Sequence, residues 1–360
     1  MKICLIGNGL TNLILAKKLV KKKIKVDLLY HLDENPLNFN LRTIGISNDN
    51  LNFLLQDIYG IKKISWPINQ IKIFNEKSLK EALINFKFQK VPRFFIIKYL
   101  EIFSLLEKSL KKEKNFSKIL LKKKNTLYSK LKSNEYDLII NSESNNEISK
   151  KFFFQKIKKK YLSNAYVILI KHKNMENNLA SQIFTNYGPI AFLPISKNET
   201  SIVFSINDSI KKNRDQIISL IKKYNRFYKI NSFSNIESFN LSFNVSRKYY
   251  HKNILCFGEN LHKIHPLAGQ GFNMILRDIK ILLYLIDERN KLGLPINSSV
   301  LKEFQENRKP LNFIFAQGID MIYEFFKFEN KYSSEFLKFF LKNKYIDNIA
   351  SKFADKGLSI

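Results

Sequence analysis

The chain has 360 residues, 45% of them hydrophobic, which allows a large buried core and exceeds what one core usually holds, so two packed domains are expected. No run reaches the ~18 consecutive apolar residues that span a bilayer, the longest relevant one being "ILLYLI" at 281–286. The formal net charge of +30 would suit nucleic acid or an anionic membrane, but only eight of the 61 cationic side chains are arginine, so a solvated lysine surface or a lipid surface is expected, and no specific nucleic acid.

The opening "MKICLIGNG" reads as entering a strand directly, so no signal peptide is expected. "KICLIG" (2–7) reads as a buried parallel strand ending in glycine. "NGLTNLILAKKLVKKK" then shows helical spacing at Leu10, Leu13, Ile14, Leu19 and Val20, and "IKVDLLYH" (24–31) is a second strand. The result is a βαβ opening with Gly7-x-Gly9-x-x-Asn12 at its turn. Gly7 and Gly9 permit a tight turn and let a pyrophosphate approach the helix N-terminus, where free N–H groups and the helix dipole face it. An ordinary βα turn is the alternative. Asn12 stands where a third glycine usually packs helix on strand. Tyr30 stands where an acid usually ends the second strand, with Asp33 and Glu34 a few residues on.

"EYDLIINSESNN" (135–146) is another apolar strand followed by a polar loop. Between 161 and 246, "YLSNAYVILIKH", "GPIAFLPIS" and "TSIVFSI" read as strands of a second, mostly antiparallel sheet, with a helix near 213–228. "SRKYYHKNILCFGEN" (246–260) returns to a buried strand ending in glycine, and "GFNMILRDIKILLYLIDERNK" follows as a long helix. Residues 300–360 read as helical and aromatic. Their stretch "MIYEFFKFENKYSSEFLKFFLKNKY" fits either a helical cap on the core or an interfacial helix on anionic lipid. The triplets "KKK" at 21–23, 122–124 and 158–160 are expected at helix ends and in loops. Cys4 and Cys256 each lie inside an apolar run without metal-ligand spacing, which fits a reduced, cytoplasmic setting.

One stretch differs from the lysine-rich remainder: "GENLHKIHPLAGQGFNMILRD" (258–278). Pro266 stiffens the loop, Gly269 and Gly271 permit close backbone approach to a flat ligand, and the following helix again offers N–H donors and positive potential. Glu259, at the end of a strand, can accept hydrogen bonds from sugar-like hydroxyls. Together these features suit a cofactor with a polyol, a diphosphate and an anionic ring. His262 and His265 lack nearby carboxylate or cysteine ligands, so no metal is expected. Arg277 and Asp278 are expected in structural pairs.

In these residues the chain resembles the group A FAD-dependent aromatic hydroxylases, and among them the ubiquinone-biosynthesis hydroxylases. "GNGLTN", "RTIGIS", "YDLIINSESNN", "NNLASQIFTNYGPIAFLPI" (177–195), "HPLAGQGFNMILRDI" (265–279), "GIDMIYEFF" (318–326) and "FADKGL" (353–358) match the family's segments in order. The resemblance implies an α/β fold: a Rossmann-like FAD-binding domain (1–64, 90–150 and 247–300), an inserted, mostly antiparallel β-sheet substrate domain (65–89 and 151–246), and a helical C-terminal region (301–360). It also implies site roles. Gly7 and Gly9 face the FAD diphosphate, and Arg42 approaches its ribityl or phosphate part. Gly258 and Glu259 stand at the ribityl-binding motif. Pro266, Gly269, Gln270, Gly271 and Asn273 border the isoalloxazine ring, and His262 lies near its dimethylbenzene or ribityl side.

The implied activity is hydroxylation of the aromatic ring of a polyprenyl-phenol or benzoquinol in ubiquinone biosynthesis. NADH or NADPH is the transient reductant and O₂ the co-substrate, through a flavin C4a-hydroperoxide shielded from water. The implied setting is cytoplasmic, with peripheral contact to the inner face of the cytoplasmic membrane and membership of a ubiquinone-biosynthesis complex as partner options. No catalytic side chain is assigned. The chain departs from the family pattern at Asn12, at Tyr30, at Glu143-Ser144 (usually Asp-Gly) and at Glu259-Asn260-Leu261 (usually Asp-Ala-Ala). A degenerate, weakly FAD-binding or non-catalytic scaffold or regulatory subunit is therefore the alternative reading.

Overall fold

The computed structural model describes residues 1–360 except 32–39, 89–90, 122–125, 133–135, 208–211 and 328–360. Asp33, Glu34, the triplet 122–124, the segment 328–345 and the terminal "FADKGL" therefore lie outside the described residues.

The continuous apolar run Lys2–Ile6 is a strand deep within a six-stranded sheet. The strand order is Tyr250–His251, Ile254–Cys256, Leu138–Asn141, Lys2–Ile6, Lys25–Tyr30, Phe116–Leu120. All neighbours pair in parallel except Tyr250–His251 with Ile254–Cys256. Because the central strands run the same way, the loops after Ile6, Tyr30, Asn141 and Cys256 all emerge at one edge. That edge is where open parallel sheets bind ligands. Ile3, Leu5, Leu13, Ile14, Ile140 and Leu276 belong to the core that joins this sheet to the helices Leu10–Lys21 and Gln270–Lys291.

A second sheet of nine strands has the main order His262–Lys263, Glu237–Ser246, Lys156–His172, Glu199–Asn207, Gly188–Pro194, Leu179–Thr185, Gln70–Asn75, Ile84–Lys87. Its ninth strand, Ile230–Phe233, also pairs with Lys156–His172. Only Gln70–Asn75 with Leu179–Thr185 is parallel. Period-two alternation gives the sheet two apolar faces. One face packs Ile168, Phe192 and Phe204 against Ile217 and Ile221 of the helix Arg214–Tyr224, which a capping box of Asn213 and Gln216 begins. The other packs Leu241, Phe243 and Ala165 against Ile264, Leu267 and Phe315. A small third sheet sets Thr43–Ser47 and Trp66–Ile68 either side of Phe94–Lys98.

The lysine triplet at 158–160 is not in a helix end or loop. It lies inside the 17-residue strand Lys156–His172. There the strand pairs along Glu237–Ser246, while pairing with Glu199–Asn207 begins only at Ser163, so the lysine heads stay accessible. Lys159 Nζ lies 2.9 Å from Asp320 Oδ2 and 2.8 Å from Glu324 Oε1, tying the strand to the last described helix, Ser298–Lys327. Cys4 and Cys256 are free and buried, and burial pushes the Cys256 thiol up to about 12. Among the described residues no helix is long and apolar enough to cross a membrane.

Candidate active site

At the first strand–helix turn, Gly7 has φ +111°, and a Cβ there would lie 2.8 Å from Ser142 Oγ and 2.9 Å from Glu143 Cγ. Only glycine fits such a backbone and such a gap. Around Gly9 the situation is the reverse: a Cβ would meet nothing within 4 Å, so open space faces the start of the helix Leu10–Lys21. That helix has no side-chain cap and no acid in its first turn, which leaves its N-terminal potential positive. The N–H of Leu10 hydrogen-bonds the Tyr99 side chain. Asn12 is wholly buried, and its Nδ2 lies 2.8 Å from each of Ile6 O, Gly7 O and Ser142 Oγ. The residue in the third glycine's place therefore braces the turn that glycines alone would leave to packing. At the end of the second strand, Tyr30 sits under Lys118 Nζ at 4.8 Å, a cation–π contact where a carboxylate usually stands.

Two more strand ends close on this turn. Gly258, at φ +61°, faces Thr11, with a Cβ position 3.1 Å from Thr11 Cγ2. Beyond it, Asn260 is buried and committed: Nδ2 donates to Asn141 O at 3.3 Å and Ser149 Oγ at 3.0 Å, while its Oδ1 accepts from Lys156 Nζ at 2.7 Å. Asn141, Asn146 and Ser149 complete this polar cluster. The Asn260 departure thus belongs to a set of compensating polar residues under the loop.

Arg42 and Glu259, 217 positions apart, meet directly: Arg42 Nη2 donates to Glu259 Oε1 at 2.8 Å. The Arg42 guanidinium also lies 5.4 Å from the centre of the Tyr99 ring. It holds the Glu259 carboxyl below the usual carboxylate range, although the acid is half exposed. The pair links the start of the small sheet to the turn Gly258–Asn260.

The loop 261–269 crosses between the two large sheets, since His262–Lys263 pairs with Glu237–Ser246. Gly269, at φ +63°, brings the loop against the small sheet, where a Cβ would sit 3.4 Å from Gly45 Cα. Asn273 then fastens the helix to that sheet. Its Oδ1 accepts from Ser47 N and from Asn50 Nδ2, both at 2.9 Å, and its Nδ2 donates to Gly45 O at 3.0 Å and Gly269 O at 3.1 Å.

The two loop histidines have different surroundings. His262 Nε2 is 2.6 Å from Asp278 Oδ2, and Asp278 Oδ1 accepts from Arg308 Nε at 2.7 Å and Asn312 Nδ2 at 3.0 Å. All four residues are buried. Burial opposes the charge on Asp278, but Arg308 and His262 outweigh it and hold the carboxyl below its usual range. Arg277 does not share this network. It stacks on Phe315 with the guanidinium carbon 4.6 Å from the ring centre, and burial lowers it to about 10.

His265 is stacked on Tyr323 at 4.2 Å and set edge-on to Tyr161 at 5.1 Å, and burial pushes it down to about 3. Its imidazole is neutral in the fold but protonates near its ordinary value of 6.5 once unfolded. The unfolded state therefore binds the extra proton between those values. The contribution is fully present above 6.5, declines as the pH falls toward 3, and has a slope of at most about 1.4 kcal/mol per pH unit. Replacing His265 with leucine is expected to flatten the acid side of the unfolding free energy against pH by this amount. Unchanged slopes in urea titrations between these limits would show that the histidine is not held neutral.

These elements enclose a cavity of about 340 Å³ between the small sheet, one face of the nine-stranded sheet and the crossing loop. Arg42, Glu259, Pro266, Gly269 and Gly271 line it, together with His262 and His265. Gly7, Gly9 and Gly258 are grouped instead at the dinucleotide-like turn, and Gln270 and Asn273 are buried outside the lining. Sequence reasoning missed Tyr99 and Gln182; the first opens a helix of ordinary amphipathic pattern, and the second lies within the family-like segment 177–195, where nothing local marks it as facing a cavity. The walls are mainly aliphatic, so the cavity suits a flat apolar ligand reached from the polar, charged end at Arg42 and Glu259.

Comparison with known proteins gives a consistent grouping. The 3-demethoxyubiquinol 3-hydroxylase of Escherichia coli is 30% identical over 171 residues, covering 45% of this chain and 44% of that protein. The ubiquinone hydroxylase UbiL of Rhodospirillum rubrum is 24% identical over 177 residues, covering 46% and 41%. Each match thus spans less than half the length of the curated relative. Among solved structures, p-nitrophenol 4-monooxygenase PnpA from Pseudomonas putida superposes with a TM-score of 0.77 at 11% identity, covering 99% of this chain and 98% of that one. HpxO of Klebsiella pneumoniae, solved as an FAD complex, gives 0.73 at 12% identity, covering 99% of both chains, and these likenesses define the fold. The family model for squalene epoxidase matches residues 150–342, more than half of the chain. The protein belongs to the squalene epoxidase family of FAD-dependent monooxygenases, with ubiquinone-biosynthesis hydroxylases among its relatives.

Proposed function

We propose that this protein is an FAD-dependent monooxygenase that hydroxylates the aromatic ring of a prenylated phenol or benzoquinol in ubiquinone biosynthesis. The observation that carries the reading is the aliphatic cavity of about 340 Å³ closed by the Gly269–Gly271 turn on one side and by Arg42 and Glu259 at its polar end. FAD fits the residues present. The open space over Gly9 and the uncapped start of the helix Leu10–Lys21 would take the diphosphate. Arg42 would turn part of its charge to the diphosphate or ribityl chain, and Glu259 would accept ribityl hydroxyls. The backbone around Gly269 and Gly271 allows a ring to lie against the loop, with the start of the helix Gln270–Lys291 favouring negative charge on the ring's edge.

When bound and reduced by NADH or NADPH, FAD would activate O₂, so that one oxygen atom goes to the ring and the other leaves as water. The chain's own contribution is positional. The aliphatic walls receive the ring and exclude water, and the Asn273 staple and the His262–Asp278–Arg308 network hold the loop rigidly beside it. A prenylated substrate resides in a membrane, so we include peripheral membrane contact. Ile314, Met321 and Ile322, exposed on the last helix, support it. The decisive experiment is NADH- or NADPH- and O₂-dependent hydroxylation by the FAD-loaded chain, read with isotope-labelled O₂. A chain that carries no flavin and incorporates no label would favour the scaffold reading.

A further inference from the structure

We propose that Gln182 orients the ring in the cavity, its side-chain amide hydrogen-bonding a hydroxyl or carbonyl oxygen on that ring. This deepens, and rests on, the reading of the cavity as the site of an oxygenated aromatic ring. The sheet register carries the argument. Across four neighbouring strand pairs, Ile73, Gln182, Ala191, Val203 and Val167 stand in one row, and all five line the cavity. Gln182 is the one polar member of that row. Residues two positions along a strand share a face, and the adjacent row of Ile71, Ala180 and Leu193 is apolar too.

The amide therefore stands in a mainly aliphatic stretch of wall, with Ser205, two residues along from Val203, as a hydroxyl on the same face. Gln182 is 8% exposed, and among the described residues its amide makes no hydrogen bond. Its amide is not fully sealed, unlike the ring nitrogens of His265, so a ligand in the cavity can reach it. A buried amide without a partner is unfavourable, and an aliphatic residue of the same size would pack the wall better. The arrangement makes sense when the ligand brings the partner. An amide both donates and accepts, so it pairs equally with a phenol O–H or a quinone C=O. A site that hydrogen-bonds a substrate hydroxyl discriminates strongly against an analogue lacking it.

The test compares two probes, methylhydroquinone and toluene, by titration calorimetry on the full chain with and without added FAD. The wild-type chain is expected to prefer methylhydroquinone. In Gln182→Met and Gln182→Leu, two apolar replacements of similar volume, that preference is expected to fall by about tenfold or more, with unfolding temperature and FAD content unchanged. A wild-type chain without the preference, or variants that keep it, would overturn the proposal. A chain that shows the Gln182-dependent preference yet neither binds FAD nor hydroxylates would leave this assignment standing and remove the monooxygenase reading instead.

Discussion

Replacing Asp278 with alanine is expected to lower the unfolding free energy by about 3–5 kcal/mol, the usual cost of stranding a buried charge. The carboxylate is fully buried and answers three groups: His262 at 2.6 Å, Arg308 at 2.7 Å and Asn312 at 3.0 Å. Without it the Arg308 guanidinium keeps, among the described residues, only the Asn312 side-chain oxygen, at 2.8 Å, as a hydrogen-bond partner. Folded domains have about 5–15 kcal/mol in total, so the variant should be near its limit at physiological temperature. Asp278→Asn keeps the shape and an acceptor but loses the charge, and should fall between the two. Urea unfolding measures all three. A loss below about 1 kcal/mol for the alanine variant would mean the network is not holding helix, loop and last helix together.

Asn273→Leu is expected to be comparably damaging, and informative about role. The wild-type side chain satisfies Ser47 N–H, the Asn50 amide, Gly45 C=O and Gly269 C=O within a fully buried site. Leucine leaves several of these unpaired, at about 1–3 kcal/mol each and not additively, so a total loss of about 3 kcal/mol is expected. The strand Thr43–Ser47 begins immediately after Arg42, so its displacement should also draw Arg42 away from Glu259 and weaken FAD retention by about tenfold or more. If Asn273 instead only bordered the flavin ring, leucine would change the flavin spectrum and leave the unfolding midpoint in place. Measuring both on one preparation separates the two roles.

The βαβ opening was legible because its apolar spacing is local: Leu10, Leu13 and Ile14 face the core as the helical period requires. The glycine-rich loop was legible for a similar reason, since Pro266, Gly269 and Gly271 are local punctuation. Arg42 and Glu259 could be nominated separately, but their ion pair spans 217 residues and no local pattern records it. Departures from the family pattern looked like losses when taken one by one. Asn260 proved to be satisfied, and the Asn12 Nδ2 to be held, with the help of partners from other strand ends, which only the fold brings near. The lysine triplet at 158–160 misled for a different reason. Charge suggests a loop, but a strand with one neighbour leaves room for lysine heads. Gln182 and Asn273 carry no motif that distinguishes a cavity wall from a structural staple. That distinction lies in sheet register and in which hydrogen bonds are already made.

On the proposed function, these elements together hold FAD and use it on an aromatic ring. The most direct measurement is the visible spectrum of the purified chain after incubation with FAD and gel filtration, followed by NADH or NADPH addition with a benzoquinol under isotope-labelled O₂. The expected result is flavin absorbance that stays with the protein, is released as FAD on denaturation, and is accompanied by one labelled oxygen in the product ring. A colourless chain after incubation, with no label in the quinol, would contradict it.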